Sequence, residues 1–290
     1  MRDRRHDRTG EDGAALVIVL WGIALIATAI VAIGFTSRSE TLIGRNAIEN
    51  ARARQAAEAG IQLALHRLLS YPRATHLFDG RPSSWRDGGA TVELAIQDEE
   101  GKIDLNAAAY PLIAGVLMSA GASQDDARRN ACQIVARRGL VDPQCLIGDS
   151  PPPATAPGML AAIEELRRLT SLSDALYGRL APLVTVYSGS AAIDPRVAPR
   201  DDLLAVPILS PGLVESYIGR RDLRQPGTGT GGLGELNDRR YFAITTGRTF
   251  SISARATTAG GGRHHAEMVV RLTYRPEQPY AVLAWREPAG

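Results

Sequence analysis

Two cysteines, 5% aromatic residues and a net charge of only +2 leave several function classes without support in this 290-residue chain. Cys132 and Cys145 are too few for a disulfide-rich framework. With no CxxC and no Cys/His cluster, the sequence also argues against zinc. Thirty-three Lys and Arg against thirty-one Asp and Glu give neither a basic face for nucleic acid nor an acidic tail for a basic partner. So few aromatics mean that the core must be aliphatic. No GxSxG, HExxH, P-loop or dinucleotide fingerprint occurs. The adjacent His264 and His265 point to opposite faces of a strand and cannot share a metal ion. The expectation is a protein that is not an enzyme and does not bind nucleic acid.

Charge is also missing from one long stretch, and that absence is informative. After Gly13, residues 14–35 carry no charged side chain. A bilayer is crossed by about 20 residues at the α-helical rise. A secretory signal would have a shorter apolar run ending in a small-residue cleavage site. A buried core helix would show a polar face. The stretch therefore predicts a helix in lipid, either as a plain anchor or as something more specialised. Arg2, Arg4, Arg5 and Arg8 precede it, and Arg38 and Arg45 follow it. Because orientation follows Lys and Arg near the span, the N-terminus is expected in the cytoplasm.

Helical spacing continues to about residue 69, with Ile61, Leu65, Leu68 and Leu69 on one face, until Tyr71-Pro72. One rod of roughly 80 Å follows from the rise per residue. Residues 90–97 alternate as a strand, as do 250–256, 266–274 and 280–285, and the last three suggest an antiparallel meander with Gly260-Gly261-Gly262 in its first bend. Residues 106–224 are helix-rich, interrupted by Pro151-Pro152-Pro153 and by a short extended piece at 183–187. Residues 112–138 and 203–221 each read as a helical hairpin ending in paired arginines, similar to helix-hairpin-helix units. Their turns, Gly121-Ala122-Ser123 and Ser210-Pro211-Gly212, lack the basic surroundings that a phosphate clamp needs. Residues 226–238 hold five glycines and read as a flexible loop.

Two further groups leave alternatives open. In an oxidising compartment, a Cys132–Cys145 disulfide would stabilise the fold by about 3 kcal/mol in the chain-entropy model; otherwise the pair are two unpaired, partly buried thiols. Asp98, Glu99, Glu100 and Asp104 are weak candidates for calcium ligation, against the plainer reading of a solvated acidic turn. Asp201-Asp202 favour the start of the helix that follows.

Several segments together resemble one family. Gly13-Ala14-Ala15-Leu16-Val17-Ile18-Val19-Leu20-Trp21 is similar to the processing site and first helical turns of type IV prepilin-like proteins. More narrowly, it resembles the minor pseudopilin K of type II secretion systems, in which the glutamate usual at the position of Ile18 is lacking. Asp98-Glu99-Glu100-Gly101-Lys102-Ile103-Asp104-Leu105-Asn106 resembles that family's motif at the start of its helical insertion. Glu164-Glu165-Leu166, the run from Leu180 to Tyr187, Ile193-Asp194-Pro195 and Ala198-Pro199 resemble later parts of it. Where the family often carries an Asp-Trp-Arg-Asp segment and an acidic, tyrosine-rich stretch, this chain has Val135-Ala136-Arg137-Arg138 and then prolines, so no metal ligand is carried over from there.

The resemblance implies an α+β fold: a pilin-like long N-terminal helix packed on an antiparallel sheet, with a large all-α, SAM-like helical-hairpin insertion. It implies a prepilin leader (1–13), an N-terminal helix (14–70, with 14–35 transmembrane), the first part of an α/β domain (71–100), a helical insertion (101–225) and a C-terminal β part (226–290). Prepilin peptidase would cut between Gly13 and Ala14. The implied role is capping the pseudopilus tip and starting its assembly for export of folded periplasmic proteins. The implied partners are other minor pseudopilins, the major pseudopilin, the inner-membrane platform and the bilayer. The implied location is the bacterial inner membrane, single-pass, with the bulk in the periplasm. The rival readings are a minor pilin of a type IV pilus or competence system, and a membrane-anchored periplasmic enzyme. No cofactor is implied beyond the calcium candidates.

Overall fold

The computed structural model describes residues 11–70, 78–146, 157–222, 238–245 and 247–288, with the side chains of 11–14, 31–39, 87 and 274 outside that description. The Tyr71-Pro72 helix stop, the triple proline and most of the glycine-rich loop at 226–238 therefore lie outside the described residues.

Helix α1 runs unbroken from Glu11 to Ser70, about 90 Å at the α-helical rise. Its described side chains are exposed up to Ile48, and burial begins with Ala53, Ala56 and Ala57 and continues through Ile61, Ala64, Leu65 and Leu68. These positions recur at three- and four-residue spacing, so they form one stripe. The stripe is mostly small because the sheet comes close. A Cβ on Gly60 would sit 3.1 Å from Val92, 3.2 Å from Ala254 and 3.3 Å from Trp85.

The sheet is antiparallel, in the order β1-β2-β5-β6-β7, formed by β1 (Ser83–Asp87), β2 (Ala90–Asp98), β5 (Thr249–Thr258), β6 (Arg263–Arg275) and β7 (Gln278–Arg286). Alternation sends Val92, Leu94, Ile96, Phe250, Ile252, Ala254, Met268 and Val270 toward α1. Burying a large aliphatic side chain contributes about 1.5–3 kcal/mol, so Ile61, Leu65 and Leu68 account for most of the helix's hold. Strand β1 is not expected from the sequence: Ser83-Ser84-Trp85-Arg86-Asp87 has no apolar alternation. The two-residue turn after it, Gly88 (φ 51) and Gly89 (φ 86), is the hairpin signal that could have revealed it.

Strands β2 and β5 pair from Ala90↔Thr258 to Asp98↔Phe250, so the chain leaves the sheet after Asp98 and returns beside it at Thr249. Between them lies a helical lobe: α2 (Tyr110–Ser119), α3 (Gln124–Arg137), α4 (Leu166–Leu169), α5 (Asp174–Leu180), α6 (Arg200–Leu204) and α7 (Pro211–Asp222). A two-residue parallel ladder joins β3 (Ile103–Asp104) to β4 (Val184–Thr185), so the extended piece at 183–187 becomes a strand with a partner that the sequence did not announce. The lobe has its own core, built from Leu112, Ile113, Leu117, Ile134, Leu166, Leu180 and Leu203 and separate from the helix–sheet core. Gly115 lets α2 and α6 touch, since a Cβ there would overlap the Ala205 carbonyl.

Candidate functional site

Helix α1 presents the largest unpartnered apolar surface among the described residues. Leu16, Val17, Ile18, Val19, Leu20, Trp21, Ile23, Leu25, Ile26 and Ile30 are all exposed. Thr28 Oγ1 donates to Ala24 O at 2.7 Å, so its hydroxyl is satisfied within the helix. Among the described residues no helix contains an apolar window long enough to cross a membrane; of residues 14–35, the side chains of Ala14 and 31–35 fall outside the description. Gly13 and Ala14 lie in the first turn of α1, and residues 1–10 lie outside the described residues. Ile18, four residues beyond Ala14, is 71% exposed.

The body grips α1 at one further place. In the turn between β5 and β6, a Cβ on Gly262 would overlap the carbonyl of Glu49, and one on Gly260 the Glu49 carboxyl group. Thr258 and the Gly260 amide bind that carboxylate, and with Arg52 at 2.7 Å they hold its pKa below the ordinary value. The glycines of this bend are thus a clasp on the helix at the level where it leaves the sheet.

The acidic motif is a structural junction. Asp98 closes β2 and accepts the Glu100 amide at 3.0 Å. Its burial pushes its pKa up to about 8, with Glu100, Asp194 and Glu99 adding to the rise. Glu99 pairs with Lys102 at 2.7 Å, and Lys102 also donates to Ser251 of β5 at 2.9 Å. A Cβ on Gly101 would lie 2.5 Å from Val197 O. Asp104 accepts the amides of Asn106 (2.7 Å), Ala107 (3.2 Å) and Gly189 (2.8 Å) and the Ser188 hydroxyl (3.1 Å). Asn106 exchanges two hydrogen bonds with the backbone of Leu160. Glu100 is half-buried, and desolvation first, then Asp194 and Asp104, raise its pKa. The four calcium candidates are therefore not brought together around one point: Glu99 is committed to lysine and Asp104 to four donors. No group of three or more His, Cys, Asp or Glu among the described residues is arranged to hold a metal ion.

The later motif pieces complete the same junction. Asp194 accepts Arg196 Nε at 2.9 Å, and Arg196 Nη2 donates to Thr245 O at 2.7 Å. Tyr217 donates its hydroxyl to Pro195 O at 3.0 Å, and Arg221 donates to Ala198 O at 2.7 Å. In the first helical hairpin, the Gly121 and Ala122 amides bond back to Met118 and Leu117, and Arg179 caps the Ala120 carbonyl at 2.6 Å. These amides are not free for a phosphate.

Cys132 of α3 and Cys145, in the short 3-10 turn Pro143–Leu146, are joined by a disulfide with a Cα–Cα distance of 5.5 Å. Both cysteines are buried.

One constellation escaped the sequence reading. His265 Nε2 lies 2.9 Å from Ser253 Oγ and 3.1 Å from Glu267 Oε1 on the lobe-side face of the sheet. A nucleophile–base relay needs the hydroxyl on one ring nitrogen and the carboxylate on the other. Here both contacts fall on the same nitrogen, and burial lowers the pKa of the ring. The arrangement is a hydrogen-bonded cluster without the geometry of a relay.

No protein family matches the sequence, and no curated protein matches it. By structure, the chain is similar to GspK in the crystal structure of the GspK-GspI-GspJ complex from the enterotoxigenic Escherichia coli type 2 secretion system. The TM-score is 0.53 at 12% identity, over 83% of this chain and 99% of that one. The two share the α+β architecture of helix and antiparallel sheet.

Proposed function

We propose that this chain is a minor pseudopilin of a type II secretion system that caps the pseudopilus tip and starts its assembly. The observation that carries the proposal is architectural. A bare apolar helix leads into a helix-on-sheet body, and a helical lobe is inserted between the neighbouring strands β2 and β5. The fold likeness to a chain solved with two other pseudopilins supports the same kind of partners here.

Cleavage after Gly13 leaves a charged amine on Ala14. Such a charge is costly at membrane depth unless it is paired. In pilin-like chains a glutamate at the position of Ile18 pairs with the amine of the subunit ahead. Ile18 cannot do so, and a chain without that acid needs no subunit ahead of it. A lobe inserted between β2 and β5 would obstruct the stacking of a further subunit. Residues 14–35 lie in the inner membrane, and the body lies in the periplasm, a location that the buried disulfide favours. Prepilin peptidase, the major pseudopilin and the secretion platform are the remaining partners, and the protein performs no catalysis.

The test is the intact mass and N-terminal sequence of the chain expressed with and without prepilin peptidase. Loss of residues 1–13 and a methylated amine on Ala14 are expected. An intact Met1 beside an active, matched peptidase would leave a plain membrane anchor and overturn the proposal.

A further inference from the structure

The face of the sheet turned away from α1 carries its side chains in cross-strand rows, and one row is unbalanced. Closer to the lobe, Glu267 of β6 stands opposite Arg286 of β7, with His265 beside the first and Glu164 paired to the second. In the next row Ser84, Glu93, Arg255 and His265 stand opposite one another on β1, β2, β5 and β6, so an acid faces a base. The last row, beside the turns, reads Arg86, Thr91, Thr257, Arg263. It has a cation at each end, two hydroxyls between them and no acid. Opposed strand residues are stabilised by unlike charges, and the two other rows follow that rule.

Among the described residues nothing answers these two charges. Arg86 and Arg263 are exposed, and neither takes part in a hydrogen bond or ion pair there. Thr91 and Thr257 are exposed as well. A shallow pocket of about 480 Å³ opens at this end of the sheet, lined by Arg86, Gly88, Thr91, Thr257 and Ala259 among others. Three strand spacings separate Arg86 from Arg263, which puts their Cα atoms about 14 Å apart. In an extended chain, side chains four residues apart lie on one face and span nearly the same distance.

We infer that this row docks an extended acidic segment of another protein, with carboxylates four residues apart meeting Arg86 and Arg263. Charge complementarity sets the sign of the partner, and the threonine hydroxyls between the arginines can donate to its oxygens. A bilayer is the competing anion, and distance decides against it. The row flanks the β5–β6 turn that clasps Glu49. From residue 35 to Glu49 the helix rises about 21 Å. A headgroup layer of about 5–8 Å and a Debye length of about 8 Å together fall short of that, so with α1 upright lipid phosphates do not reach the row. The surface lies on the far side of the sheet from α1, and the inference stands apart from the reading as a minor pseudopilin.

The experiment uses the full chain in detergent and a rhodamine-labelled peptide of four Glu-Thr repeats, followed by fluorescence anisotropy. The peptide is expected to bind, more weakly as salt rises, and its Gln-Thr counterpart is expected not to bind. Arg86→Gln and Arg263→Gln together should weaken binding about tenfold, the loss of two exposed ion pairs. The thermal midpoint should hold, because neither arginine has a partner to lose. Arg168→Gln with Arg239→Gln removes the same charge from exposed positions elsewhere and should leave binding as it was. If the peptide does not bind, or if both double variants weaken it equally, the row is not a docking site. If short-chain phosphatidylglycerol displaces the labelled peptide better than the unlabelled peptide does at equal ionic strength, the row belongs to lipid phosphate, and the inference is overturned as well.

Discussion

Asp202 is the least comfortable side chain in the lobe. It is fully buried, and among the described residues neither of its carboxylate oxygens has a hydrogen-bond partner; the nearby Ile103 amide is given to Leu183 O at 3.2 Å. Its neighbour Asp201 stays half-exposed beside Arg200 at 3.2 Å, so only one of the two acids that the sequence placed at a helix start remains at the surface. Burial pushes the pKa of Asp202 well above the ordinary carboxylate value, Lys102 opposes the rise, and Asp201 and Glu99 add to it. Between the unfolded pKa near 3.8 and the raised folded value, the folded state holds a proton that the unfolded state has released. Stability therefore falls as pH rises through that window, by at most about 1.4 kcal/mol per unit. Asp98, raised to about 8, acts in the same direction. The thermal midpoint of the full chain is expected to drop between pH 5 and pH 8, and Asp202→Asn should flatten part of that slope. A midpoint that climbs with pH would contradict this account.

Among the elements, the clasp on α1 joins parts that are far apart in sequence. Gly262→Ala places a methyl group against the Glu49 carbonyl, where backbone on both sides cannot yield easily. A loss of about 1–3 kcal/mol is expected, as for other overpacked contacts, read as a shifted urea midpoint. An unchanged midpoint would mean that the turn simply moves off the helix. This contact also marks where sequence reasoning ran out. Helix α1, β2 and the β5–β7 meander were legible because their apolar residues repeat at 3.6 or 2, and a repeat is a local property. The glycines at 260–262 were legible as a bend, but their steric reason is Glu49, about two hundred positions earlier. Strand β1 was missed because an edge strand of Ser, Arg and Asp has no face to alternate. In the acidic motif the residues were legible and their work was not. Asp104 resembles a metal ligand until its four protein donors are known.

At the scale of the whole molecule, two hydrophobic cores are joined by a polar seam. Across it run Lys102 to Ser251 at 2.9 Å, Gln97 to Val197 O at 2.9 Å, Arg271 to Tyr187 O at 2.8 Å and Arg286 to Glu164 at 2.6 Å. Only the last is an ion pair, which when partly exposed contributes about 0–1 kcal/mol; the hydrogen bonds contribute about 0.5–3 kcal/mol each, so the seam adds up to less than either aliphatic core. The lobe and the helix–sheet body should therefore open as separate cooperative units. The disulfide lies wholly within the lobe, so replacing Cys132 and Cys145 together by Ala should cost the lobe about 3 kcal/mol and the body almost nothing. In hydrogen exchange, amides of α2 and α3 are expected to lose protection, while those of β5 and β6 keep theirs. Equal loss in both would mean that the seam couples the cores more tightly than its bonds suggest. Separate opening fits the proposed role, because a tip lobe is held by neighbouring subunits on one side only. In that role it must keep its own shape, and the Cys132–Cys145 staple provides that independently of helix α1.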